Sequence, residues 1–382
     1  MGVAELTKSA VNVLPAGALE KKLEEGRPLR VKLGIDVTAP DVTLGHAIPL
    51  QRMRAFQDEG HTGVLIVGDY TTRIGDPSGR SAERPMLDEA EIDRNAQTYF
   101  EQASKIIDPS RTELRFNSEW LSKLDFAEIL RLTRIATVAR LLERDDFAKR
   151  FGEGSPISVS ELLYPLMQAY DSVAVEADVE LGGTDQLYNL LMGREVMAAY
   201  GLDSQVALTV EYLVSWDGRG MSASRGNYIG LREAPEEQFG KAMSIPDSLL
   251  EQWYRLVIEQ PAPDGDPLEA KLALARFIVA RSHGEEAAGR AEEHFTRVVR
   301  EGQAPPEGSI EKVALPEGDP VHMPAVLEEA FGMTRGEARR LIAQGAVRVN
   351  GEAVTELDLP RKTLVDALVQ AGKRRFSRLT EP

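Results

Sequence analysis

The sequence predicts an α/β fold: a parallel sheet first, then an α-helical region, then a small α+β module. Two observations carry this. Apolar runs of strand length alternate with stretches of helical periodicity through the first half of the chain. Strand-like runs also lead into polar, Gly-rich loops, as ligand loops do at the C-terminal ends of parallel strands.

Residues 30–36 (RVKLGID) read as a buried strand that ends at Gly34 and Asp36. After the turn-rich VTAPDVTLG, HAIPLQRMRAFQDEG reads as a helix with Ile48, Met53 and Phe56 among its apolar positions. Pro49 is tolerable there only near the first turn. Residues 63–68 (GVLIVG) form the next strand and run into GDYTTRIGDPSGR, residues 68–80. Helices are expected over 86–107, 125–150 and 159–174, and a strand over 206–215. A polar Gly/Ser loop, DGRGMSASRGN, follows Trp216. Residues 233–302 are helical and charged, 303–318 read as a linker, and the remainder reads as two helices and a strand with a turn.

The chain has 382 residues, enough for two or three domains. No apolar run approaches the roughly 20 residues that cross a bilayer, and the N-terminus mixes Glu and Lys into its apolar residues, unlike a secretory signal. With no cysteine there is no disulfide, thiolate zinc site or thiol nucleophile, which fits a cytoplasmic chain without a structural metal. The formal net charge is −16. Residues 319–382 nevertheless hold ten Lys+Arg against nine Asp+Glu, so any RNA contacts must be local and the tail is one place for them.

Four stretches carry chemistry. Gly34-Ile35-Asp36, then Thr43-Leu44-Gly45-His46, joins a strand end to a helix start. Helix starts present free N–H groups suited to phosphate, and a histidine there can donate to a phosphate as charge builds. Tyr164, Gln168 and Asp171 share one helical face, either lining a polar pocket or facing solvent. Gly182-Gly183-Thr184-Asp185-Gln186 permits close backbone approach; Asp185 suits a ribose hydroxyl pair and Gln186 a carboxyl group, unless the stretch is a plain strand-to-helix turn. Asp76 lies in a loop that could hold an ammonium group or be a solvated turn. No Gly-x-Gly-x-x-Gly follows a strand, which argues against a dinucleotide oxidoreductase.

The order of these stretches, closed by Met221-Ser222-Ala223-Ser224, resembles the bacterial tyrosyl-tRNA synthetases over essentially the whole chain. Stretches such as VARLLERDDFAKRF, LGGTDQLYNLLMGRE and FGKAMSIPD share the likeness. The resemblance implies a Rossmann-like catalytic domain over 1–232, a helical anticodon-proximal domain over 233–302, and an S4-like RNA-binding domain over 319–382. It implies that Asp171 bonds the tyrosine hydroxyl, that Asp76, Tyr164 and Gln168 hold the ammonium group, and that Gln186 lies near the carboxyl. Gly34, Asp36, Gly183 and Asp185 would line the adenylate site, with Met221 and Ser222 also on ATP. Thr38, Thr43 and His46 would face the triphosphate. ATP would come with Mg²⁺, and tRNA(Tyr) would meet Arg335, Arg339, Arg340 and Arg348. Members of the family are homodimers.

The sequence departs from the family pattern in three places. Thr43 stands where the first signature normally has a histidine. Val37 replaces a proline. Gly220-Met221-Ser222-Ala223-Ser224 has neither lysine of the usual Lys-Met-Ser-Lys-Ser. Arg219 and Arg225 flank that loop and are the expected substitutes in neutralising pyrophosphate, although guanidinium and ammonium differ in geometry. A paralogue that binds tyrosine and RNA without efficient aminoacylation is the alternative.

Overall fold

The computed structural model describes residues 2–37, 40–74, 89–301, 303–304, 310–372 and 375–381. Two compact units result: residues 1–234 with 241–278, and residues 235–240 with 279–382.

The first unit is built on six strands: β1 (Ala10–Leu14), β2 (Arg30–Ile35), β3 (Thr62–Val67), β4 (Thr112–Phe116), β5 (Val179–Gly183) and β6 (Val206–Val210). They lie in the order β1-β6-β5-β2-β3-β4, with only β1 antiparallel to its neighbour. β3 buries five of its six residues and β6 all five, the near-continuous apolar pattern of strands covered on both faces. The chain builds outward from β2 to β3 and β4, then returns to place β5 on the other flank of β2. The order therefore reverses between β2 and β5, and a crevice opens above their C-terminal ends. Ligands of open α/β sheets bind at such a switch point.

Sequence expectation and structure agree over β2, the helix after β2, β3 and the Val159–Ala174 helix. The helix after β2 runs Leu44–Asp58, so Pro49 falls in its second turn and forgoes the N–H that would meet the Gly45 carbonyl. Residues 125–150 are not one helix but three: Phe126–Thr133, Val138–Leu141 and Asp145–Gly152. Thr137 restarts the chain as an N-cap, its hydroxyl accepting from the Arg140 N–H. The strand expected over 206–215 ends at Val210.

In the second unit, β7 (Glu311–Ala314), β9 (Val347–Val349), β10 (Glu352–Ala353), β12 (Leu368–Ala371) and β13 (Arg375–Thr380) form a sheet in the order β10-β9-β12-β13-β7. β8 (Val321–His322) pairs with β11 (Asp358–Leu359). Helices Met323–Phe331 and Arg335–Ala343 join this sheet around a core that includes Val326, Leu327, Ile342, Val347 and Val369. β7 lies inside the stretch read as a linker and pairs in parallel with β13. The helical region expected at 233–302 is divided between the two units.

Candidate active site at the strand-order reversal

The crevice floor is made by strand ends. Gly34, at the end of β2, is exposed, and a Cβ built there meets nothing within 4 Å, so this stretch of backbone faces open space. Beside it a continuous hydrogen-bonded chain crosses three strand ends and reaches the Val159–Ala174 helix. Tyr164 donates to Asp36 Oδ2 (3.0 Å) and Thr71 Oγ1 to Asp36 Oδ1 (2.8 Å). Asn117 Nδ2 donates to Thr71 Oγ1 (3.0 Å) and toward Asp171 Oδ2 (3.4 Å), and Trp120 Nε1 donates to Asp171 Oδ1 (2.8 Å). Gly68 is required here, because a Cβ would sit 2.3 Å from Asp36 Oδ1 and 2.4 Å from Thr71 Oγ1.

Asp171 is 3% exposed, so the solvated-face reading of its helix does not hold. Burial pushes its carboxyl up to about 7, against the nearby Lys32 charge and the Trp120 and Asn117 hydrogen bonds, which favour the ionised form. At neutral pH the group is poised between accepting and donating.

On the other side of the crevice, Tyr212 donates to Asp185 Oδ2 (2.6 Å) and Gln186 Nε2 approaches the same oxygen (3.4 Å). Asn189 Nδ2 donates to the side-chain oxygens of both Gln168 (2.9 Å) and Gln186 (3.1 Å), while Arg144 Nη1 holds Asn189 Oδ1 (3.0 Å). The two glutamines are thereby turned by one buried asparagine.

The Leu44–Asp58 helix begins at a capping box. Thr43 Oγ1 accepts from the His46 N–H (3.3 Å), and His46 Nδ1 accepts from the Thr43 N–H (3.2 Å). Nδ1 is thus an acceptor, and the proton of the neutral ring sits on Nε2. His46 as a residue is exposed, yet the packing around its ring desolvates the charged form and lowers its pKa to about 4, so the ring is neutral at pH 7.

The Gly/Ser loop after β6 closes onto this helix start. Leu44 N donates to the Ile229 carbonyl (2.8 Å) and Leu231 N to the Val42 carbonyl (2.9 Å). Buried Met221 lies close to Gly45, where a Cβ would come within 3.7 Å of the Met221 Cβ. Asn227 staples the loop: its Oδ1 accepts from Ser222 N (3.0 Å) and its Nδ2 donates to Asp217 (2.9 Å). That hydrogen bond, with those from Arg219, holds the Asp217 carboxyl down at about 2. Arg219 pairs with Asp217 (2.7 Å) and Arg225 Nη1 donates to the Gly220 carbonyl (3.2 Å). Both arginines are exposed and bound within their own loop, and such surface pairs open easily and are screened by salt.

The crevice thus gathers Gly34, Asp36, Tyr164, Gln168, Asp171, Gly183, Asp185 and Gln186, with Thr43, His46, Met221 and Ser222 at the helix-start junction. Thr38 and Asp76 lie outside the described residues. Asn117, Trp120, Lys32, Glu180 and Asn189 were not legible as site residues, because each has a defining contact at least 21 positions away in sequence. In the second unit, Arg335, Arg339, Arg340 and Arg348 are all exposed. Arg335 Nε pairs with Glu328 (2.7 Å) and Arg348 Nη1 donates to the Gly351 carbonyl (3.0 Å).

A switch-point crevice flanked by a Gly-x-Asp/Gly-His strand–helix junction and a Met-Ser-x-Ser loop is the arrangement of a class I aminoacyl-tRNA synthetase. Residues 24–300 match the profile of tRNA synthetases class I (W and Y), and residues 326–359 that of the S4 domain. The tyrosine–tRNA ligase of Moorella thermoacetica is 48% identical over 98% of this chain and 94% of its own length. That of Thermotoga maritima is 45% identical over 98% and 96%. The solved tyrosyl-tRNA synthetase of Archaeoglobus fulgidus, in complex with L-tyrosine, superposes with a TM-score of 0.60 at 23% identity, covering 76% of this chain and 98% of its own. The C-terminally truncated mitochondrial tyrosyl-tRNA synthetase of Aspergillus nidulans gives 0.62 at 22%, over 76% of this chain and 91% of that truncated chain. The chain belongs to the tyrosine–tRNA ligase family of class I tRNA synthetases.

The folded protein binds the Asp171 proton more tightly than the unfolded chain, whose aspartates titrate near 3.9. The resulting stabilisation is fully present below about pH 4 and is lost as pH rises through about 7. Asp171→Asn removes this titration. Urea unfolding of both proteins should therefore show the variant gaining about 3 kcal/mol on the parent between pH 5 and pH 8. An equal difference at both pH values would mean that Asp171 titrates as an ordinary carboxyl.

Proposed function

We infer that the chain activates L-tyrosine with ATP and transfers it to tRNA(Tyr). The observation that carries this is the buried Asp171 carboxyl, held by Trp120 and Asn117 at the base of the crevice. A site built to bond a hydroxyl discriminates against the analogue without one, because its polar groups are left unpaired; the handling of tyrosine against phenylalanine is the known example. In this reading the tyrosine phenol meets Asp171. Its ammonium group lies toward Tyr164, Gln168 and Asp76, and its carboxylate toward Gln186.

The tyrosine carboxylate then attacks the α-phosphate of ATP in line, forming tyrosyl-adenylate as pyrophosphate leaves. A terminal hydroxyl of tRNA next attacks the acyl carbon and AMP departs. The protein contributes position and charge rather than a covalent nucleophile. Asp185 with Gly183 would take the ribose, and Gly34 with Asp36 would line the adenylate. The neutral His46 ring would donate from Nε2 to the phosphates beside Thr43 and Thr38. Mg²⁺ enters with ATP as part of that substrate. Met221 and Ser222 lie on the ATP side, and Arg219 and Arg225 replace the missing lysines by releasing Asp217 and the Gly220 carbonyl. The exposed Arg335, Arg339, Arg340 and Arg348 suit RNA phosphates.

We further read the active form as a homodimer working in the cytoplasm. Phe126, Leu130, Val138, Phe151 and Val159 remain 49–74% exposed within one stretch of the first unit, an apolar display that marks an association surface. No described helix is long and apolar enough to cross a membrane.

ATP–pyrophosphate exchange on the purified protein should respond far more strongly to tyrosine than to phenylalanine or tryptophan. Exchange absent with tyrosine would contradict the assignment. Replacing both Arg219 and Arg225 by alanine should lower kcat for exchange by about 10- to 100-fold with little change in the KM for tyrosine; unchanged exchange would end the compensation idea. Light scattering should give twice the 42.0 kDa chain mass, and Phe151→Glu should halve it. A monomeric parent would remove the dimer.

A further inference from the structure

We propose that Lys32 is a positioning residue that fixes the Gln168–Ser172 turn and thereby sets how strictly the site demands a hydroxyl on the bound amino acid. The proposal rests on the tyrosine reading above and adds a residue to it.

Lys32 lies in the middle of β2 and is wholly buried. An ammonium group has three N–H donors, and each finds an acceptor: the Gln168 carbonyl (2.9 Å), Ser172 Oγ (2.8 Å) and Glu180 Oε1 (2.8 Å). Two of the three belong to the helical turn that carries Asp171. The third, Glu180, is the register partner of Lys32 across the parallel β2–β5 pair. Glu180 also accepts from Gln168 Nε2 (3.2 Å), Ser172 Oγ (3.0 Å) and Gln205 Nε2 (2.8 Å). Backbone closes the far side: a Cβ at Gly193 would sit 2.4 Å from Gln205 Nε2 and 3.1 Å from Glu180 Oε2.

Stability alone does not call for this pair. Buried ion pairs are often replaced by apolar residues at no loss, so burial of charge here is not explained by stability. The pair instead ties the helix to the two strands whose separation makes the crevice. The positive charge of Lys32 also favours the ionised form of Asp171, the form that accepts from a hydroxyl, against a smaller opposing effect of Glu180.

The test uses the full-length protein and the double variant Lys32→Met/Glu180→Gln, which keeps shape and leaves no lone buried charge. Folding is checked by thermal melting, and exchange is measured with tyrosine and with phenylalanine. The expected result is a rise of about tenfold or more in the KM for tyrosine, a KM for ATP within about twofold of the parent, and a fall of about tenfold in the tyrosine-over-phenylalanine ratio of kcat/KM. A merely structural role would lower kcat for both amino acids and leave the ratio alone, and that result overturns the proposal. Ser172→Ala removes one of the ties without touching a charge and should move the same ratio in the same direction by about threefold. If the double variant does not fold, an unchanged ratio in Ser172→Ala overturns the proposal by itself. A parent protein inactive with tyrosine would instead sink the function proposed above.

Discussion

β2 and β5 lie side by side although Lys32 and its register partner Glu180 are 148 residues apart. Everything functional in the first unit follows from that pairing. It makes strand order reverse at one place, so the loops after β2 and β5 diverge and leave a crevice. It brings the C-terminal ends of β2 and β5 to one edge of the sheet, with Gly34 and Asp36 at one of these ends and Gly183 and Asp185 at the other. It also gives the Val159–Ala174 helix a surface to press Tyr164, Gln168 and Asp171 against. Such a non-local contact carries a loop-closure cost, which grows slowly with length, and the apolar strands around it offset that cost.

The crevice divides its electrostatic work. At the Asp171 end a carboxyl is kept out of water and met by Trp120, Asn117 and the Lys32 charge, so it responds strongly to a hydroxyl partner. At the other end the polarity comes from a helix start, a neutral imidazole and an exposed loop. That suits a phosphate chain that must bind, change charge and leave. The Asn227 staple orders this loop without lysine, and Arg219 and Arg225 stay on bonds that water and ligand can replace.

Much of this was legible in the sequence because local rules agree with the global fold. The apolar run of β3, the capped helix after Thr43, and the shared face of Tyr164, Gln168 and Asp171 follow from periodicity and capping. Other features were not legible. The edge strands β1 and β4 are half-buried along most of their length, with no buried/exposed alternation, and carry weak apolar signals. The break at Thr137 depends on a hydroxyl cap inside a helix-like pattern. Lys32 and Glu180 look like surface charges until the sheet buries them against each other. Asn117 and Trp120 become site residues only because β4 ends beside β3 and beneath the helix that carries Asp171.

The central claim is that Asp171, at the base of the β2–β5 crevice, reads the hydroxyl of bound tyrosine while the adenylate crosses from Gly34 to Gly183. A crystal structure with a non-hydrolysable tyrosyl-adenylate analogue tests it most directly. The account predicts the phenol oxygen within hydrogen-bond distance of an Asp171 carboxylate oxygen, and the ribose beside Asp185. A phenol lodged away from Asp171, with that carboxylate still held only by Trp120 and Asn117, would contradict it.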